Sequence, residues 1–136
     1  MRALIDTCIV IDYLQKRESF FGHADEIFTK SLEGKFIGYL TAKSLTDIYY
    51  LMHHYTHSEK ESRKIIEKLF DICDILDTKA SDCYNAVSSN LPDFEDAIML
   101  ETAKSNGIDC IITRNIQDFS ASEVPVYTPK QFLERL

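Results

Sequence analysis

Short apolar runs that suit buried strands alternate along this chain with longer segments whose apolar residues recur at helical spacing, and that alternation restricts the fold more than any other feature. The clearest run is Asp109 to Thr113 (DCIIT), which follows Gly107, the expected stop of the preceding helix. The first run, Arg2 to Ile5, stops at Asp6, after which Ile9, Val10, Tyr13 and Leu14 repeat on one helical face. Phe36 to Thr41, Ile72 to Leu76 and Val124 to Tyr127 read as further strands. Between them the spacing predicts a helix from about His23 to Glu33, buried through Ile27, Phe28, Ser31 and Leu32. It predicts a second over Lys43 to Tyr55, buried through Leu45, Ile48, Tyr49 and Met52, and a third over Ser58 to Asp71, buried through Ile65, Ile66, Leu69 and Phe70. Ala80 to Ser89 and the segment from Asp93 to Gly107 follow as helices, and Pro129 fits the first turn of a terminal one. With no repeat or linker among its 136 residues, the chain is expected to form one α/β domain over 1–136, a three-layer α/β/α sandwich around a mainly parallel sheet.

In open parallel sheets, ligands collect beyond the carboxyl ends of the strands, which makes the acids there informative. Asp6 follows the first strand directly, and Asn115 and Asp118 follow DCIIT. Asp47 lies one turn into the helix after the second strand, and Asp96 lies in the first turn of the helix that starts at Asp93. Residues of four segments are thus expected at one end of the molecule, where crowded carboxylates either take up protons or hold a cation. Carboxylate oxygens suit Mg²⁺ or Mn²⁺, which also bind phosphate oxygens, so phosphodiester hydrolysis is the matching chemistry. Thr7, Ser44, Asp93 and Thr113 flank these acids and read as supporting residues.

Each acid also has a structural reading. An Asp after a strand commonly serves a turn or a cap, and negative charge at a helix N-terminus is favourable by roughly 0.3–1 kcal/mol whatever the function. Asp93 fits a cap. Asp96 precedes Ala97 and Ile98 on the expected buried side, and Asp47 sits within LTDIYYL among residues expected to face the core, where an uncompensated carboxylate is costly. Asp12 reads as solvated.

The acids outnumber the bases by 22 to 15, a formal net charge of -7, which argues against bulk electrostatic attraction for nucleic acid. If phosphate is bound, a local cation must bring it in. Asp6 and Asp12 interrupt the apolar N-terminus, no window reaches a membrane span, and the four cysteines lack CxxC spacing. A cytoplasmic protein with reduced thiols and no membrane contact is expected. His53 and His57 have i, i+4 spacing but lack the glutamate of a zinc-protease helix. Lys60, Arg63, Lys64 and Lys68 read as a solvated face paired with Glu59, Glu61 and Glu67, while Tyr49, Tyr50 and Tyr55 read as core or dimer-interface aromatics. Arg114, expected beside the acidic cleft, is the candidate phosphate contact.

The segments LIDTCIVIDYL, SLTDIYYLM, DFEDAIMLETAKSNGIDCIITRNIQDF and VYTPKQFL resemble, in order and across nearly the whole chain, the successive motifs of PIN-domain ribonucleases, including VapC-type toxins of toxin–antitoxin modules. The resemblance implies an α/β/α sandwich, a Mg²⁺ or Mn²⁺ site of three or four acids, and RNA cleavage. Asp6 matches the first acid, Asp47 the second, Asp96 the third, and the TRNIQDF segment the fourth position, so Asp6, Asp47, Asp96 and Asp118 are the implied catalytic acids. Asp6, Asp96, Asp118 and Asn115 are the candidate metal ligands. An antitoxin partner and a homodimer are implied as well. Three positions depart from the family pattern. Cys8 replaces the usual Asn and removes its backbone-fixing bond from the Asp6 turn, Asp47 is one methylene shorter than the usual Glu, and Asn115 supplies a carbonyl without negative charge. The sequence therefore supports two readings: a metal-dependent endoribonuclease, or a weakened PIN module that binds RNA or a protein without cutting. A receiver-like phosphotransfer pocket lacks the lysine it would need after the last core strand.

Overall fold

The computed structural model describes residues 1–136. Its elements run β1 (Arg2–Ile5), α1 (Thr7–Leu14), α2 (Phe21–Leu32), β2 (Ile37–Thr41), α3 (Ala42–Thr56), α4 (Glu59–Ile72), β3 (Asp74–Leu76), α5 (Ala80–Val87), α6 (Phe94–Ser105), β4 (Cys110–Ile112), a 3₁₀ turn (Ile116–Phe119), β5 (Val126–Tyr127) and α7 (Pro129–Leu133). The five strands form one sheet in the order β3-β2-β1-β4-β5, and every neighbouring pair is parallel. Strand order reverses at β1, so the carboxyl ends of β1 and β4 flank the crevice where such sheets bind ligands.

Alternate residues of the strands feed two cores. Ala3, Ile5, Leu40, Cys110 and Ile112 pack with α1 to α4 and α7 on one face, and Leu4, Tyr39 and Ile111 pack with α5 and α6 on the other. This is the three-layer sandwich expected from the βα alternation. The sheet's inner strands are apolar on both faces, as a covered parallel sheet requires.

Several local expectations are corrected. Leu32, the last residue of α2, and Phe70 are exposed. Phe70 lies about 100° around α4 from Leu69, which carries that helix's buried stripe. Of the aromatics read as core or dimer-interface, Tyr50 and Tyr55 are exposed and so not core, since the buried line of α3 runs through Ser44, Ile48 and Met52. His57 ends α3 with a left-handed φ of 55°, so it does not share a helical face with His53, which stacks on Tyr49 at 5.9 Å. The four cysteines are free. No helix is long and apolar enough to cross a membrane.

Candidate metal and nucleic-acid site

Asp6 takes the N-cap position of α1 in extended conformation, but its carboxylate makes no capping bond to that helix. Its backbone N–H donates to the Ile112 carbonyl at 2.9 Å, which ties the turn to β4. The carboxylate instead accepts at Oδ2 from the buried Thr113 hydroxyl at 2.7 Å and from the Cys8 thiol at 3.3 Å. The thiol thus bonds the Asp6 carboxylate and makes no bond to the backbone of the turn. Burial, followed by the field of Asp6, pushes the Cys8 pKa up to about 12, so the thiol stays protonated and can donate.

Asp96 arrives from the opposite helical layer. Asp93 caps α6 by accepting from the Asp96 N–H at 2.9 Å, and that cap sets the position of the first turn. The Asp96 carboxyl is half-buried, and its pKa is pushed up to about 7, first by burial and then by the fields of Asp6, Asp93, Asp118 and Glu95. Asp118 reaches this region from the 3₁₀ turn, whose first bond runs from the Asp118 N–H to the Asn115 carbonyl at 3.0 Å. The Asn115 N–H donates to the Thr113 hydroxyl at 3.1 Å, so one side chain organises both Asp6 and the loop that carries Asn115 and Asp118.

Asp6, Thr7, Lys43, Ser44, Asp47 and Asp96 are among the residues lining a cavity of about 300 Å³. Thr41 caps α3 by accepting from the Ser44 N–H at 3.0 Å, and its hydroxyl lies 2.7 Å from that of Ser44; both are buried. Asp47 is not core-facing as expected. Its side chain is 39% exposed and bonded at 2.6 Å to Lys43 Nζ, which also lies 3.3 Å from Glu95. The i, i+4 spacing of Lys43 and Asp47 carried this signal, and the sequence reading overlooked it.

The donor set tests the expected cation. Every candidate ligand is a carboxylate or amide oxygen, which suits a hard divalent ion, and no ion pair neutralises Asp6, Asp96 or Asp118. Asp6, Asp47 and Asp96 line one cavity, Asn115 and Asp118 are not among its lining residues, and no three His, Cys, Asp or Glu side chains form a ready ligand group. The chemistry of the donors fits the ion, and the acids are not gathered into a ready ligand group.

Two further expectations are corrected on the other side of β4. Asp12, read as solvated, is fully buried, and Arg114 donates to it from Nε at 2.6 Å and Nη2 at 3.3 Å. Arg114 therefore does not lie in the acidic cavity; its guanidinium packs 4.1 Å above the Phe20 ring and lines a separate pocket. Sequence reasoning places Asp12 in solvent and misses Phe20 here and Lys43 in the acidic cavity.

With the geometry in place, the comparisons identify the family. A family model described as PIN domain matches residues 2–117, and the chain belongs to that family. Its fold is similar to a toxin–antitoxin complex from Klebsiella pneumoniae, at 24% identity and a TM-score of 0.68 over 93% of this chain and 97% of that one. It is also similar to VapC20 of Mycobacterium tuberculosis, a Sarcin-Ricin loop cleaving toxin, at 14% identity and a TM-score of 0.68 over 90% and 95% of the two chains. VapBC-1 from nontypeable Haemophilus influenzae gives 14% identity and a TM-score of 0.70 over 96% and 99%. At these identities the structural likeness speaks for the fold. No curated protein matches the sequence significantly.

Proposed function

We propose that this protein is a divalent-cation-dependent endoribonuclease that acts in the cytoplasm as the toxin of a toxin–antitoxin module. The observation that carries the reading is Asp96: a half-buried carboxyl raised to about 7 by burial and by Asp6, Asp93, Asp118 and Glu95, at the crevice where strand order reverses. Such unneutralised charge favours a cation, and a cation offset by too few protein charges attracts phosphate.

Asp6, Asp96 and Asp118, with the Asn115 carbonyl, would hold Mg²⁺ or Mn²⁺. The bound ion would supply a nucleophilic water near neutral pH and charge stabilisation for the phosphoryl oxygens. The chain's own residues do the positioning. Thr113 and Cys8 fix the Asp6 carboxylate, Asp96 must give up its proton before it can ligate, and Asp47 completes the acidic wall, held there by Lys43. Thr7, Ser44 and Asp93 support the loop and the two helix starts. The partners proposed are an RNA substrate, an antitoxin whose Arg or Lys enters the acidic cavity, and a second copy packed on the exposed Tyr50, Leu51 and Phe94.

The Lys43–Asp47 pair favours a second reading, a PIN module that binds RNA or a protein without cleavage, because it already neutralises one of the four acids. Incubating a mixed RNA pool with Mn²⁺ separates the two. The nuclease reading expects cleavage that is lost in Asp6→Asn and Asp96→Asn; equal products from all three proteins would reject it.

A further inference from the structure

A second pocket of about 300 Å³ opens on the same carboxyl edge, among residues that follow β4 and β5 and those that join α1 to α2. Asp12, Ser19, Phe20, His23, Arg114 and Lys130 line it. Its charge is the reverse of the chain's. Asp12 is its single carboxylate and is fully buried beneath Arg114, with Arg17 Nη1 3.5 Å away, so Arg17, Arg114 and Lys130 leave a local positive excess in a protein of net charge -7. A guanidinium has five N–H donors in a fixed fork. Asp12 engages Nε and Nη2, which leaves the Nη1 pair free, and the Arg114 side chain keeps 25% of its surface open. Under that guanidinium lies Phe20, an aromatic ring that is 43% exposed.

The two pockets are joined through one peptide unit. Thr113 bonds Asp6, which lines the acidic cavity, and Arg114, its Cα about 3.8 Å further along the chain, lines the basic pocket, so the two are served by consecutive residues after β4. We propose that this pocket is the subsite for the nucleotide next to the scissile bond of single-stranded RNA, an inference that rests on the nuclease reading. Arg114 and Lys130 bind that nucleotide's phosphate, and Phe20 stacks its base. Asp12 is the positioning residue that keeps the Arg114 fork aimed into the pocket. Arrangement of the cations here also answers how so acidic a chain can hold a polyanion.

Lys130 and Phe20 are exposed, so their replacement leaves the cores intact. The test measures binding of fluorescein-labelled octauridylate in chelator, where no metal-dependent cleavage occurs. Lys130→Glu and Phe20→Ala are expected to weaken binding at least about fivefold, and Lys130→Glu to lower the slope of log K against log salt by about 0.7, the value of one single-strand phosphate contact. In Mn²⁺ the same variants raise KM and leave kcat unchanged. Undetectable binding by the wild type, or affinity and slope unaltered in both variants, overturns the subsite. Binding that the variants weaken, with no cleavage by the wild type in Mn²⁺, keeps the pocket as an RNA-binding site but rejects the nuclease reading and, with it, a place next to a scissile bond.

Discussion

The Thr113 hydroxyl donates to Asp6 Oδ2 at 2.7 Å across the junction between β4 and β1, the two strands between which the order of the sheet reverses. The bond is buried, and the same hydroxyl accepts from the Asn115 N–H, so it sets the first acid and the fourth-position loop together. Thr113→Val removes a bond to a charged group, worth about 1.5–3 kcal/mol. Cleavage should fall about tenfold or more while Thr113→Ser retains most of it, as measured by steady-state kinetics beside thermal unfolding.

The raised Asp96 pKa has a defined sign. An unfolded Asp titrates near pH ~3.9, whereas the folded carboxyl titrates at about 7, so the folded state holds this proton more tightly. Below the unfolded value both states are protonated and the group is neutral to stability. As pH climbs from there to about 7 the metal-free protein loses stability, and the loss persists above it. Melting temperatures in chelator should therefore drop between pH 5 and pH 8, and Asp96→Asn should flatten that drop.

Metal binding should draw on the same proton. A cation that binds Asp96 at pH 6 displaces it, and one that binds at pH 9 finds the carboxylate already ionised. Titration calorimetry in buffers of different ionisation enthalpy should show proton release at the lower pH that disappears at the higher. Affinity for Mn²⁺ should rise through the neutral range.

Asp12 and Arg114 form the buried ion pair of the fold. Asp12→Ala leaves a part-exposed guanidinium without its partner and should lower stability, by less than the about 3–5 kcal/mol that stranding a fully buried charge costs. The double variant Asp12→Leu with Arg114→Met removes both charges and should recover much of that loss in denaturant unfolding. If the subsite is as described, it recovers stability without recovering RNA affinity.

Burial pushes Cys8 and Cys73 to about 12 and Cys110 to about 11. These thiols should resist alkylation at pH 8 in the native protein, leaving the half-exposed Cys83 as the labelled site by mass spectrometry.

What was legible in the sequence is what local chemistry decides. The β1 run ending at Asp6, the Asp93 cap, the DCIIT strand and the placement of acids beyond strand ends all follow from neighbours within a few residues. Partners set by tertiary contact were not legible: Asp12 looked solvated because Arg114, which neutralises it, lies 102 residues away in the chain. At Cys8 the sequence shows the missing amide but not the thiol's bond to the Asp6 carboxylate two residues before it. The 3₁₀ turn that carries Asp118 has too short a period to show, and Lys43 was passed over although its spacing from Asp47 was in view.

Whether acids from separate segments form a cation site for RNA hydrolysis is read from the initial rate of RNA cleavage titrated with Mn²⁺ for wild type and Asp96→Asn. The wild type should show a saturable Mn²⁺-dependent rate, abolished by chelator and lower by at least about a hundredfold in Asp96→Asn. A rate independent of Mn²⁺, or the same in both proteins, would contradict it.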